Sequence, residues 1–104
     1  MQEPHKIVRE VLRHYLELEQ HCKDTGSWVF EYGDYRISFL DLQGCLKDLS
    51  PRKKEAVFYN VILDWKQARV AALMGIKTVT VGQYVEQACQ QIESRILKTK
   101  EQAA

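Results

Sequence analysis

Apolar residues recur along this chain with two different periods, and the change of period divides it into segments. From Glu3 to Lys23, the residues Ile7, Val8, Val11, Leu12, Tyr15, Leu16 and Leu18 fall on overlapping i, i+3 and i+4 spacings, with Arg9, Arg13, Glu17 and Gln20 between them. That spacing predicts one amphipathic helix, ended by the turn-forming run Asp24-Thr25-Gly26-Ser27. From Trp28 to Phe39 the period is two, and Gly33-Asp34 has the Gly-X form of a type II′ hairpin turn. Folding about that turn opposes Tyr32 with Tyr35, Phe30 with Ile37 and Trp28 with Phe39 on one face, and Glu31 with Arg36 on the other. Cross-strand pairs contribute roughly 0.2–1 kcal/mol each and a lone hairpin is marginal, so the aromatic face needs a cover. The N-terminal helix is one candidate for it. A partner protein is the other, because apolar patches of this kind are seldom left open to water.

Helical spacing returns after the hairpin. Ser38 followed by Asp41 has the form of a capping box with Asp in place of Glu, opening a short helix through Leu40, Leu42, Leu46 and Leu49. Ser50-Pro51 is a second start signal, a Ser cap with Pro at the first helical position, ahead of Ala56, Val57, Val61 and Ile62. Asp64 breaks that pattern, and a third helix is predicted from Trp65 to Met74 with Ala68, Val70, Ala71 and Leu73 apolar. Gly75 stands where a left-handed turn is needed, Thr78 is the expected cap, and the last helix carries Val81, Tyr84, Val85, Ala88, Ile92 and Ile96 inward. Two helices joined by a Gly-containing turn, the second starting polar and running long, have the form of a DNA-binding helix-turn-helix. In Gln67 to Ile76 the small Ala71 allows close approach, Gly75 makes the turn and Ile76 fills the space between the helices. The expected fold is therefore mainly α. An N-terminal amphipathic helix and small β-hairpin (1–39) precede a four-helix helix-turn-helix domain (40–97), and a flexible polar tail (98–104) follows.

Composition narrows the function. With 104 residues, 45% of them apolar, the chain can bury a modest core without metal or disulfide. Residues 1–50 carry six Lys/Arg against nine Asp/Glu and residues 51–104 nine against five, so the halves net −3 and +4. A basic half suits contact with nucleic acid or an acidic partner at one end, although an ordinary solvated surface has the same composition. No apolar run reaches the ~18 residues of a membrane span, and Met1 to Arg9 is polar rather than a signal core, which makes the expected location cytoplasmic. Cys22, Cys45 and Cys89 are odd in number and widely spaced, so buried thiols are expected rather than a disulfide or zinc site. His5, His14 and His21 do not fall on the i, i+4 spacing of a metal pair, and no nucleophile elbow or phosphate loop occurs. No enzyme, cofactor, metal, small-molecule substrate or membrane partner is expected.

Leu49-Ser50-Pro51-Arg52-Lys53-Lys54-Glu55-Ala56-Val57 resembles the opening of the fourth conserved region of bacterial sigma factors. Val70-Ala71 and Met74-Gly75-Ile76 are similar to its Ile-Ala and Leu-Gly-Ile positions, and Val81, Gln83, Ala88 and Ile92 to positions of its recognition helix. Asp41 to Leu49 is similar to the helix before it, so the resemblance covers about residues 40–97. It implies a domain that binds RNA polymerase with one face and reads double-stranded promoter DNA with its last helix. On that resemblance Thr78, Val79, Thr80 and Gln83 take base-reading positions, with Gln87 one turn further and Lys77 beside them, and Arg52 and Lys66 lie near backbone contacts. Gln83 and Gln87 suit bidentate contacts to adenine, and Thr80 a thymine methyl. The family usually has charged residues at the matches of Thr78 to Thr80 and Arg at that of Gly82, so the groove-facing surface here is nearly uncharged and its phosphate attraction weak. Tethering by a partner offsets such weakness, and Trp28, Phe30, Leu42 and Leu46 are the expected partner surface.

The resemblance leaves no room in the chain for the separate domain with which a complete sigma factor melts the other promoter element. It implies instead a small phage or mobile-element regulator, or half of a split sigma factor. Two alternatives stand beside a regulator that engages bacterial RNA polymerase and promoter DNA. One is a protein-only module, a polymerase inhibitor or coactivator; the other is a different helix-turn-helix protein, such as a phage small packaging subunit.

Overall fold

The computed structural model describes residues 4–99, so Glu3 of the predicted first helix and residues 100–104 of the predicted tail lie outside the described residues. In chain order the elements are α1 (Pro4–Arg13), α2 (Tyr15–Thr25), β1 (Val29–Tyr32), β2 (Tyr35–Ser38), α3 (Phe39–Asp48) and α4 (Pro51–Val57). The last of these runs on into a π-helical turn (Phe58–Ile62), followed by α5 (Gln67–Met74), α6 (Thr78–Ile96) and β3 (Lys98–Thr99). The protein is mainly α with a small antiparallel hairpin, as the pattern predicts. Among the described residues no helix is long and apolar enough to cross a membrane.

The predicted first helix is in fact two. His14 leaves the helical region at φ −99°, ψ 15°, and the halves serve different neighbours: α1 packs on α6 and the π-helical turn, α2 on α3. Ile7, Val8, Val11 and Leu12 are buried, but the bend turns Leu16, counted with the apolar face by its spacing, 53% into solvent.

The hairpin has the expected register, with Phe30 opposite Ile37, Glu31 opposite Arg36 and Tyr32 opposite Tyr35. Gly33 alone in the turn has positive φ (58°), as a Gly-X turn of type II′ requires. The Tyr15 ring lies 5.0 Å from Phe39 and Trp28 lies 5.9 Å from it, while the Tyr32 hydroxyl donates to Glu10 Oε2 at 2.8 Å. The N-terminal helices thus cover much of the aromatic face. A third strand appears where the sequence predicts only tail: Lys98 and Thr99 pair with Arg36 and Tyr35.

Ser38 caps α3, its hydroxyl accepting from Asp41 N–H at 3.3 Å. Ser50 and Thr78 do not fulfil their expected capping roles. Ser50 precedes Pro51 but makes no side-chain cap, and Thr78 is already the first residue of α6, with Lys77 at the capping position. One hydrophobic cluster runs from Ile7 through Phe39 to Ile96, so the N-terminal segments and the four later helices share a core. No polar or charged residue among those described is fully buried in it.

Candidate nucleic-acid interface

The link between α4 and α5 leaves the helical path at Asp64 and is tied back by hydrogen bonds. Asp64 takes a left-handed φ of 58°, Leu63 N–H reaches back to Phe58 O at 2.9 Å, and Asn60 Nδ2 donates to Trp65 O at 2.8 Å. Tyr59 stacks on Trp65 with ring centroids 4.9 Å apart, and the Arg69 guanidinium lies 3.9 Å over the same indole. The helix α5 therefore starts at Gln67, two residues later than the pattern predicts, with Lys66 at its N-cap and no side chain capping it.

At the other end of α5, Gly75 adopts φ 68° and its N–H bonds to Ala71 O. Ile76 N–H reaches the same carbonyl at 3.0 Å. A residue with a Cβ is strained in this conformation, which accounts for glycine at the turn. Arg52 Nη2 donates to Met74 O at 2.9 Å, placing a cation at the negative end of α5. Arg52 thus braces the turn from α4, while Lys66 stands at the opposite end of α5, about 12 Å along the axis for a helix of this length.

The helix α6 presents two faces. Val81, Val85, Ala88, Cys89, Ile92 and Ile96 are buried. Val79 (63% exposed), Gln83, Glu86, Gln87 and Gln90 follow i, i+4, i+7, i+8 and i+11 on the solvent side. Lys77 and Thr78 are exposed at its start and Thr80 is half-buried. From Thr78 to Glu93 the helix has no Lys or Arg, and Glu86 places an acid on the open face. Gly82 looks toward α5: a Cβ there would meet the Gln67 amide at 3.5–3.8 Å, an ordinary contact.

Of the residues expected to touch DNA, Val79, Gln83 and Gln87 share one exposed stripe of α6, while Lys77 and Thr78 are exposed at its start and Thr80 is half-buried. Arg52 and Lys66 are held at the two ends of α5. The expected partner surface needs correction. Leu42 is 0% exposed, because α3 turns this position into the core against α6, so it is unavailable to a partner. Trp28, Phe30 and Leu46 are half-buried. An open apolar groove of about 250 Å³ is instead lined by Tyr15, Leu16, Leu46, Phe58 and Ile62 together with Lys54. Leu16 and Phe58 were not assigned to it from sequence, because an apolar residue on a helical spacing carries no mark of which side it will face.

Burial raises the pKa of the Cys22, Cys45 and Cys89 thiols, and all three are free and buried. Among the described residues no group of His, Cys, Asp and Glu is arranged to hold a metal ion. His14 and His21 are exposed, and the His5 side chain falls outside the described residues.

A short helix, a left-handed glycine and a long helix with one buried and one open face define a helix-turn-helix protein. The family model described as Sigma-70, region 4 matches residues 39–92, over half of the chain, and the chain belongs to that family. This is a family of DNA-binding domains of transcription rather than of enzymes. Neither the curated proteins nor the solved structures gave a match.

Proposed function

We propose that the protein is a transcription regulator that engages bacterial RNA polymerase in the cytoplasm and reads double-stranded promoter DNA with the first turns of α6. The observation that carries this reading is the open stripe Val79, Gln83, Gln87 on a recognition helix whose supporting motif is intact. Amide side chains on a major-groove helix discriminate adenine by paired donor and acceptor. With no cation on that stripe, affinity for DNA alone is low, and a tether to polymerase supplies the local concentration that makes a weak reader effective. The groove of Leu16, Leu46 and Phe58 is the surface offered to polymerase.

The test is a comparison of target and random duplexes by fluorescence anisotropy in the presence of polymerase core. Gln83→Ala and Thr80→Ala are expected to cost roughly 1–3 kcal/mol of discrimination, and Lys66→Ala to weaken all sequences alike. Equal losses on both duplexes for every variant contradict base reading. Glu86 on the open face favours a second reading, a protein-only module acting on polymerase. That reading predicts polymerase binding with no sequence discrimination.

A further inference from the structure

A cleft of about 390 Å³ opens where α1, the π-helical turn and the start of α5 meet, and its walls include Arg9, Arg13, Lys66 and Gln67. Three cations, two from α1 and one from the start of α5, line it against one acid, Asp64. Among the described residues neither Arg9, Arg13 nor Lys66 is ion-paired. Arg9 Nε is shielded from solvent without a hydrogen-bond partner. The guanidinium otherwise lies beside the Cys89 thiol of α6, whose pKa it lowers against the larger effect of burial, so a donor is left over for a ligand to satisfy. Asn60, which also faces the cleft, is occupied with the Trp65 carbonyl. The N-terminus of α5 opens there with no side-chain cap, so its partial positive charge adds to that of the arginines.

We infer that this cleft is a DNA-backbone site in which Arg9 and Arg13 of α1 and Lys66 of α5 seat one phosphodiester group. The inference rests on the DNA-reading role proposed above and places α1, which lies outside the matched family segment, in the interface. Phosphate is the ligand this chemistry selects, because guanidinium groups offer planar paired donors that match its oxygens. The DNA backbone is favoured as its source by continuity. Gln67 lines the cleft and also faces Gly82, so the cleft adjoins α6 at the point where the recognition helix lacks a cation. Arg9 and Arg13 restore beside α6 the positive charge that α6 does not carry.

Salt dependence of binding provides the test, with a fluorescein-labelled duplex of arbitrary sequence as probe. Unaltered protein is compared with Arg9→Gln/Arg13→Gln, with Arg13→Gln/Lys66→Gln in case loss of Arg9 disturbs the fold, and with Arg9→Lys/Arg13→Lys. Circular dichroism melts verify that each is folded. One phosphate fewer lowers the slope of log K against log salt by about 0.9. That loss is expected in both Gln pairs, with the Lys pair close to the unaltered protein. An unchanged slope in the Gln pairs, alongside a lowered one in Lys77→Gln, overturns the cleft but leaves DNA reading standing. Failure of the unaltered protein to bind the duplex even at low salt removes both. Loss of polymerase binding in the Gln pairs with DNA binding intact makes the cleft a protein contact and overturns the inference.

Discussion

Gly82 joins two consequences of one missing side chain. It lies inside α6, where glycine costs about 0.5–1 kcal/mol relative to alanine, and a Cβ there meets only the Gln67 amide at ordinary contact distance. Gly82→Ala is therefore expected to raise stability by about that amount in urea denaturation. Gly82→Arg is expected to steepen the salt slope of DNA binding by about one phosphate contact as well. An unaltered slope in the Arg variant would mean that this side of α6 does not approach DNA. Residue types and spacings made most of this region legible in the sequence: the turn at Gly75, the polar stripe of α6 and the buried Val81 to Ile96 face all follow from them. They do not separate Leu42 from Leu46, since both are leucines on one helical period, and only the packing of α3 decides that the first is enclosed and the second half-open. Nor do they bring Arg9 and Arg13 to the cleft that Lys66 lines, an arrangement that depends on how α1 crosses the later helices.

At the level of elements, the hairpin and α1 hold each other. Tyr32 donates to Glu10, and burial together with that carboxylate raises the phenol's pKa, so it stays a donor beyond the alkaline pH at which a free tyrosine ionises. Tyr32→Phe is expected to lower stability by about 1 kcal/mol, and Leu12→Ala, which empties a fully enclosed position of α1, by about 2–5 kcal/mol. Denaturant unfolding monitored by circular dichroism measures both. A neutral Leu12→Ala would show that α1 is an appendage and not part of the core. The hairpin was readable down to its register because aromatic pairing and charge pairing demand the same alignment. The break at His14 was not, because one helical period continues across it and only the different neighbours of α1 and α2 bend the chain there. The two-residue strand β3 was hidden for a related reason: it is polar, and its partner β2 is remote in sequence. The π-helical turn after α4 leaves no apolar mark either, although Asp64 signalled where the helix must end.

Across the whole molecule, charge and apolar surface are distributed in a way that suits a domain working beside a larger partner. The cations gather around α5, at Arg52, Lys66, Arg69 and, from α1, Arg9 and Arg13. The recognition helix is left neutral or faintly acidic, and the groove of Leu16, Leu46 and Phe58 stays open. In the proposed role, such a surface attracts DNA generally while α6 adds discrimination, and neither contribution alone makes a tight autonomous binder. The most direct test is selection from a randomised duplex pool at physiological salt, carried out with the protein alone, with bacterial RNA polymerase core alone and with both. The account predicts that a sequence is enriched only when both are present, and that Gln83→Ala or Leu46→Glu abolishes the enrichment. Enrichment and tight binding by the isolated protein, together with no binding to polymerase core, would contradict it and make the chain an autonomous DNA-binding repressor.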